Sequence, residues 1–350
     1  MKGITFGNYH SYDDFHLILG SQEIGSPDVK ENKIKIEGAD GDLDFTDFFG
    51  SPKYENVRHK FNFSTIVSQA EFFSLFSTVK NAIHGKKLRI ILDDDPLFYY
   101  IGRCFVSKFT NEKGIGIVSV ECDCEPYKYK IDTTGQPVYL CEKNLLNLDY
   151  AVIPTVIYDR WSKTETGYSY DKESQSGNGY LHFNIPVIKG HTYTFSAIGT
   201  TYTGYPPTLI IYSDKVIGDV VARSVSTFSV TFVAQKTGFY VFALIANSAT
   251  ETVNFTNVMV TENDTVEDFE AYDSTQKSKT IVFSNCKKTA VPTIHMIGAL
   301  TVTSNGISLN IENEAQQTQL LPEVEFMAGE NSVDFVGNGV AVVEWQEGSL

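Results

Sequence analysis

The sequence predicts a mainly β protein with more than one domain, and three observations carry that prediction. Runs of Val, Ile, Thr, Tyr and Phe separated by Gly, Asn and Asp recur along the chain, as half-buried strands and their turns require. Helix-period stretches are scarce. A length of 350 residues exceeds one ordinary sandwich, and 42% hydrophobic with 13% aromatic content can fill two or three cores.

The opening reads as a short strand (Gly3 to Phe6), a turn at Tyr12-Asp13-Asp14-Phe15 and a second apolar strand (His16 to Leu19). After a polar linker with Pro27, a period-2 strand puts Ile34 and Ile36 on one face and Lys33, Lys35 and Glu37 on the other. The acidic loop Gly38-Ala39-Asp40-Gly41-Asp42-Leu43-Asp44 follows. Ser68-Gln69-Ala70-Glu71 has the form of a capping box. Phe72, Phe73, Leu75, Phe76, Val79 and Ile83 then recur at helical spacing up to Gly85, a stripe read as core. Strands are expected at Leu88 to Leu92, Leu97 to Phe109 and Gly116 to Cys124, with Glu125-Pro126-Tyr127 closing a first domain of residues 1–130.

The character changes near residue 144. Strand signals at Gly179 to Ile185, Thr192 to Ile198, Thr208 to Tyr212, Ser226 to Val233, Gly238 to Ile245 and Asn254 to Val260 imply a sandwich or jelly-roll over 144–272. Further short strands between Thr280 and Trp345 are separated by turns such as Ser304-Asn305-Gly306 and Gly337-Asn338-Gly339. Residues 131–143 with 273–350 then form one domain interrupted by the insert.

A net charge of −15 argues against nucleic acid as a ligand, since phosphate contacts need clustered Lys and Arg. No signal peptide and no membrane-length apolar run is visible, so membrane insertion is not expected. Five widely spaced cysteines lack a second ligand pair for zinc and read as small buried residues of a reducing compartment. Asp40, Asp42 and Asp44 match the start of a calcium loop, but Phe45 stands where Gly is needed and Ser51 where Glu is. Seven scattered histidines offer no ligand spacing, so neither metal nor cofactor is expected. The carboxylates Asp159, Glu165, Asp171 and Glu173 lie near aromatics, yet no catalytic motif is present, so the chain reads as a non-enzyme. The candidate functional residues are instead aromatic and amide groups in polar stretches of the insert: Trp161, Tyr168, Tyr170, Asn178, Tyr202 and Tyr205. An exposed ring covers the C–H face of a sugar while neighbouring amides bond its hydroxyls; the alternative for each ring is packing at the sandwich edge.

The order of elements up to Asp44, with its G-x-x-G-x-L-D element at Gly38 to Asp44, resembles the N-terminal domain of siphophage distal tail (Dit) proteins. Residues 144–272 are similar to carbohydrate-binding-module-like jelly-rolls of phage tail proteins. The matching pieces are Asn144-Leu145-Leu146, Tyr193-Thr194-Phe195-Ser196, Asn257-Val258-Met259-Val260 and Phe269-Glu270-Ala271-Tyr272. Ala290-Val291-Pro292-Thr293, Leu321-Pro322 and Gly329-Glu330-Asn331 resemble the galectin-like C-terminal domain of the same family. The resemblance implies an N-terminal β-sandwich with one helix and a galectin-like β-sandwich interrupted by a jelly-roll. It also implies a homohexameric ring at the virion tail tip, made in the host cytoplasm. That ring would contact the tail tube protein and tail-associated lysin or baseplate proteins, and the insert would contact host cell-wall polysaccharide. The alternative is a purely structural hub whose insert docks another tail protein and binds no sugar.

Overall fold

The computed structural model describes residues 2–48, 52–66, 69–112, 115–141, 143–153, 160–171, 179–200, 207–213, 218–225, 227–246, 252–311 and 316–350. The protein is mainly β, and the helix Gln69–Ile83 is the one α-helix among the described residues. None of the described helices is long and apolar enough to cross a membrane. The chain divides into two compact units. The first holds 1–133 with 286–288 and 346–350, and the second holds the rest, so the last residues cluster with the first unit and not with the strands that precede them.

In the first unit, one antiparallel nine-stranded sheet runs Tyr9–His10, Ile4–Phe6, Lys87–Leu92, Phe98–Glu112, Ile115–Cys124, Val57–Thr65, Ile18–Glu23. Lys128–Lys130 and Gly348–Ser349 join it beside Phe98–Glu112. Ile4–Phe6 and Val57–Thr65 are four strands apart, roughly 19 Å in a flat sheet. Their Phe6 and Phe61 ring centroids are nonetheless 6.0 Å apart, so the sheet curls until its layers face and share a core of Phe6, Phe61, Phe63, Val118 and Val120. The helix covers one opening of this core through Phe72 and Phe76, both stacked on Phe109 at 4.2 and 4.3 Å. The capping residue Ser68 lies outside the described residues. Phe73, read as part of the buried stripe, is 68% exposed, because it lies one residue (about 100° of helix) round from Phe72. His16, read as strand, has a φ of +53°, and its strand starts two residues later at Ile18.

Among the described residues the second unit contains four sheets. Between Trp161 and Thr261, a five-stranded sheet (Trp161–Lys163, Tyr168–Tyr170, Val253–Thr261, Thr192–Gly199, Ser229–Val233) faces a four-stranded one (Gly179–Val187, Gly238–Ala246, Thr208–Tyr212, Val220–Val225). Phe183, Phe195, Phe242, Leu244 and Phe255 fill the space between them. The chain on either side makes two further sheets. One is Thr134–Tyr139, Val340–Trp345, Thr293–Ile297, Gln317–Leu320, and the other is Lys277–Asn285, Gly329–Gly337, Leu300–Ser304, Ile307–Ile311. They enclose Phe283, Phe326, Phe335, Met296 and Trp345. Asn305 and Gly306 form a two-residue hairpin turn with φ of +51° and +78°, the backbone that an Asn-Gly pair adopts most readily.

Candidate functional site

Three of the six candidate sugar-contact residues are placed by the structure, and their position favours packing at the sandwich edge over an exposed platform. Trp161–Lys163 and Tyr168–Tyr170 are paired strands at the edge of the five-stranded sheet, with Tyr168 and Tyr170 opposite Phe255 and Val253. Trp161, Tyr168 and Tyr170 are only 6%, 5% and 1% exposed. Trp161 lies 4.9 Å from the Tyr170 ring and 6.2 Å from Phe255, and the Tyr168 hydroxyl donates to the Leu148 carbonyl at 2.5 Å. Strand pairing turned these rings inward, where burying three large aromatics outweighs leaving them wet. Asn178, Tyr202 and Tyr205 lie outside the described residues.

Of the four carboxylates considered for glycoside chemistry, Asp159 and Glu173 lie outside the described residues. Glu165 is exposed, and Asp171 accepts from the Thr252 hydroxyl at 3.0 Å. Nothing brings Glu165 and Asp171 together around a cleft. Among the described residues no cluster of His, Cys, Asp and Glu could hold a metal ion. Cys104 and Cys122 face each other across two strands with their sulfurs 3.3 Å apart. Contact with Cys104 and burial push the Cys122 thiol up, and burial pushes Cys124 up to about 12, which keeps both protonated and inert.

The Asn144-Leu145-Leu146 motif proves to be a clasp. Asn144, 2% exposed, accepts from the Leu146 and Val260 amides at 3.0 and 3.2 Å and donates to the Glu270 carbonyl at 3.1 Å and weakly to Val258 at 3.5 Å. One amide thus ties the entry of the 144–272 segment to its last long strand and to its exit. The sequence shows this residue as part of a motif but not its task, because all its partners except Leu146 lie more than a hundred positions away.

The acidic loop of the first unit is a hairpin. Lys33–Lys35 pairs with Asp42–Asp44, placing Lys33 opposite Asp44 and Lys35 opposite Asp42, so these carboxylates meet lysines across the ladder. Asp44 also accepts from the Thr46 amide at 2.8 Å, and Thr46 holds its carboxyl below the usual range. The other face of the hairpin is apolar: Ile34 and Leu43 stand opposite each other and are about half exposed, as is Ile36; Phe48, four residues beyond the hairpin, is 69% exposed.

No protein-family model matches the chain, and no curated protein matches it. Among solved structures, SPP1 Dit (gp 19.1), described as a paradigm of the hub adsorption apparatus in phages infecting Gram-positive bacteria, aligns over 100% of both chains. The TM-score is 0.40 at 9% identity, an overlap too slight to carry a functional conclusion.

Proposed function

We propose that the chain is a hub component of a phage tail tip that assembles into a homohexameric ring between the tail tube protein and tail-associated lysin or baseplate proteins. The observation that carries this reading is the hairpin of the first unit. A two-stranded ribbon cannot bury its own apolar face, and Ile34, Ile36, Leu43 and Phe48 remain on the surface of a protein that is otherwise strongly acidic. In a ring each copy offers one surface and receives another, so a projecting arm finds its cover on the neighbouring copy. The test is the mass and shape of the purified chain by light scattering and negative-stain microscopy, compared with an Ile34→Asp, Leu43→Asp variant. Rings of about six copies that dissociate in the variant support the reading, and a monomer at micromolar concentration refutes it.

The proposal extends to the insert, which would recognise host cell-wall saccharide through Asn178, Tyr202 and Tyr205, six copies raising the avidity of individually weak sites. The burial of Trp161, Tyr168 and Tyr170 favours a second reading, in which the insert docks another tail protein and binds no sugar. Fluorescently labelled full-length chain, applied to Gram-positive cells and purified wall polysaccharides, separates the two. Saturable labelling that is lost in a Tyr202→Ala, Tyr205→Ala variant supports adhesion. Absence of labelling by a folded ring leaves a structural hub.

A further inference from the structure

We propose that a groove on the C-terminal sandwich, remote in sequence from the candidate residues of the insert, is a binding site for a neutral pyranose. The groove has a volume of about 370 Å³ and lies at one end of the sheet that holds Lys277–Asn285, Gly329–Gly337, Leu300–Ser304 and Ile307–Ile311. Thr301, Asn310 and Val336 stand side by side across three of these strands on the outer face, while the next residues, Leu300 and Ile311, point into the core. Gln276 and Asn338 complete the polar wall, and Val336 provides apolar carbon.

Chemistry decides the class of ligand. Among the described residues no Asp, Glu, Lys, Arg or His lines the groove, so these residues offer an ion no counter-charge. The lining pairs apolar carbon with a few fixed polar groups, the pattern of a small-molecule site of this size. Carboxamides both donate and accept, as a sugar hydroxyl does. The face beyond the groove is mostly polar, with Thr303 bonded to Ser308 at 2.9 Å and Thr280 donating to the Asp334 carboxylate at 2.6 Å.

Asn338 is the anchor. Its backbone amide donates to the Ala299 carbonyl at 3.3 Å, its carbonyl accepts from the Tyr272 hydroxyl, and its side-chain nitrogen donates to the Ser274 carbonyl at 3.3 Å. The side-chain oxygen is buried without a partner among the described residues, an unmet acceptor that an incoming hydroxyl or acetamido N–H satisfies once the Asn338 side chain turns towards the groove. The Thr301 hydroxyl donates to the Asn310 side-chain oxygen Oδ1 at 2.9 Å and so orients the second amide.

Saturation-transfer NMR on the full chain with methyl β-glucopyranoside, methyl β-N-acetylglucosaminide and methyl α-rhamnopyranoside, each at millimolar concentration, tests the assignment. Thr301→Trp fills the groove from a half-buried position on the outer face of the sheet, Asn338→Leu removes the acceptor, and melting curves check that both fold. The expected result is transfer to at least one pyranoside that falls at least tenfold in both variants and is unchanged in Tyr202→Ala, Tyr205→Ala. No transfer to any of the three, or transfer that survives Thr301→Trp, overturns the proposal. Transfer abolished only by the Tyr202 and Tyr205 changes also overturns it and moves sugar binding to the insert.

Discussion

His59 makes the stability of the first unit depend on pH between about 4 and 6.5. The residue is fully buried in the middle of Val57–Thr65, with its ring 4.5 Å from that of Tyr100. Its Nδ1 accepts from the Gly25 amide at 3.2 Å, and its Nε2 has no partner among the described residues. Burial alone pushes its pKa from 6.5 down to about 4, because nothing nearby compensates a buried imidazolium. The unfolded chain therefore binds a proton in this interval that the folded chain refuses. Stability is complete above pH 6.5 and falls as the pH drops from there towards 4. The full difference corresponds to about 3 kcal/mol, of which about 2 kcal/mol is lost by about pH 5.

Both tryptophans, Trp161 and Trp345, belong to the second unit, so their fluorescence is blind to the first. Urea-dependent hydrogen exchange of peptides from 57–65 and 115–124 reads the relevant free energy. His59→Asn keeps an acceptor near the Nδ1 position for Gly25 and cannot titrate. Its absolute stability drops because the smaller side chain leaves a cavity, but its loss between about pH 7.5 and 5 should be smaller than that of the wild type by about 2 kcal/mol. Equal pH dependence in the two proteins would refute the argument.

Other consequences can be measured directly. Asn144→Ala leaves the Leu146 and Val260 amides buried and unpaired and should destabilise the second unit by about 3 kcal/mol, read by tryptophan fluorescence in urea. Trp161→Ala should cost about 3–5 kcal/mol through the same assay, as a packing loss; a variant that melts like the wild type would show that the ring is not core. A colorimetric thiol reagent should find one reactive cysteine in the native protein, the exposed Cys286, and five in denaturant. His182, pushed by burial to about 4, should add an acid-dependent loss in the second unit that His182→Asn reduces.

The strands of the second unit were legible because alternation and turn chemistry agree there. Asn305-Gly306 announces its hairpin, and Gly238 to Ile245 is an apolar run buried throughout. Val57–Thr65 was not read as a strand, because His59 interrupts the apolar alternation, and only the fold shows that a neutral histidine occupies that inward position. The Trp161 stretch stays open in the sequence between an exposed platform and edge packing for a related reason: two three-residue strands bounded by Ser, Thr and Gly have the composition of a loop, and their assignment comes from pairing with Val253–Thr261 far along the chain. The groove beside Asn338 gave no sequence signal, since it is assembled from four chain segments whose residues are ordinary one at a time.

How the 144–272 segment is mounted bears on what it can do. Val340, from the flanking sandwich, lies in the same hydrophobic cluster as Leu145, Phe183 and Val260. Phe239 packs edge-on against His295, whose ring nitrogens are fixed by Thr318 at 2.9 Å and Glu344 at 3.1 Å, and the Tyr139 and Tyr193 hydroxyls meet at 3.3 Å. With Asn144 clasping entry to exit, the segment is held by buried apolar and polar contacts, in contrast to an insert that swings on two flexible linkers. Excising it for a binding assay would strip Val340 from its core, so full-length variants are the sounder instrument. Rigid mounting also decides between two kinds of avidity. A tethered module samples many positions at low effective concentration, whereas a fixed one either matches the spacing of its targets or fails to engage a second copy. In a ring, adhesion through such mounts should therefore rise steeply with target density on a surface and change little with soluble oligosaccharide length. A binding curve that tracks oligosaccharide length instead would point to mobile modules and contradict the packing described above.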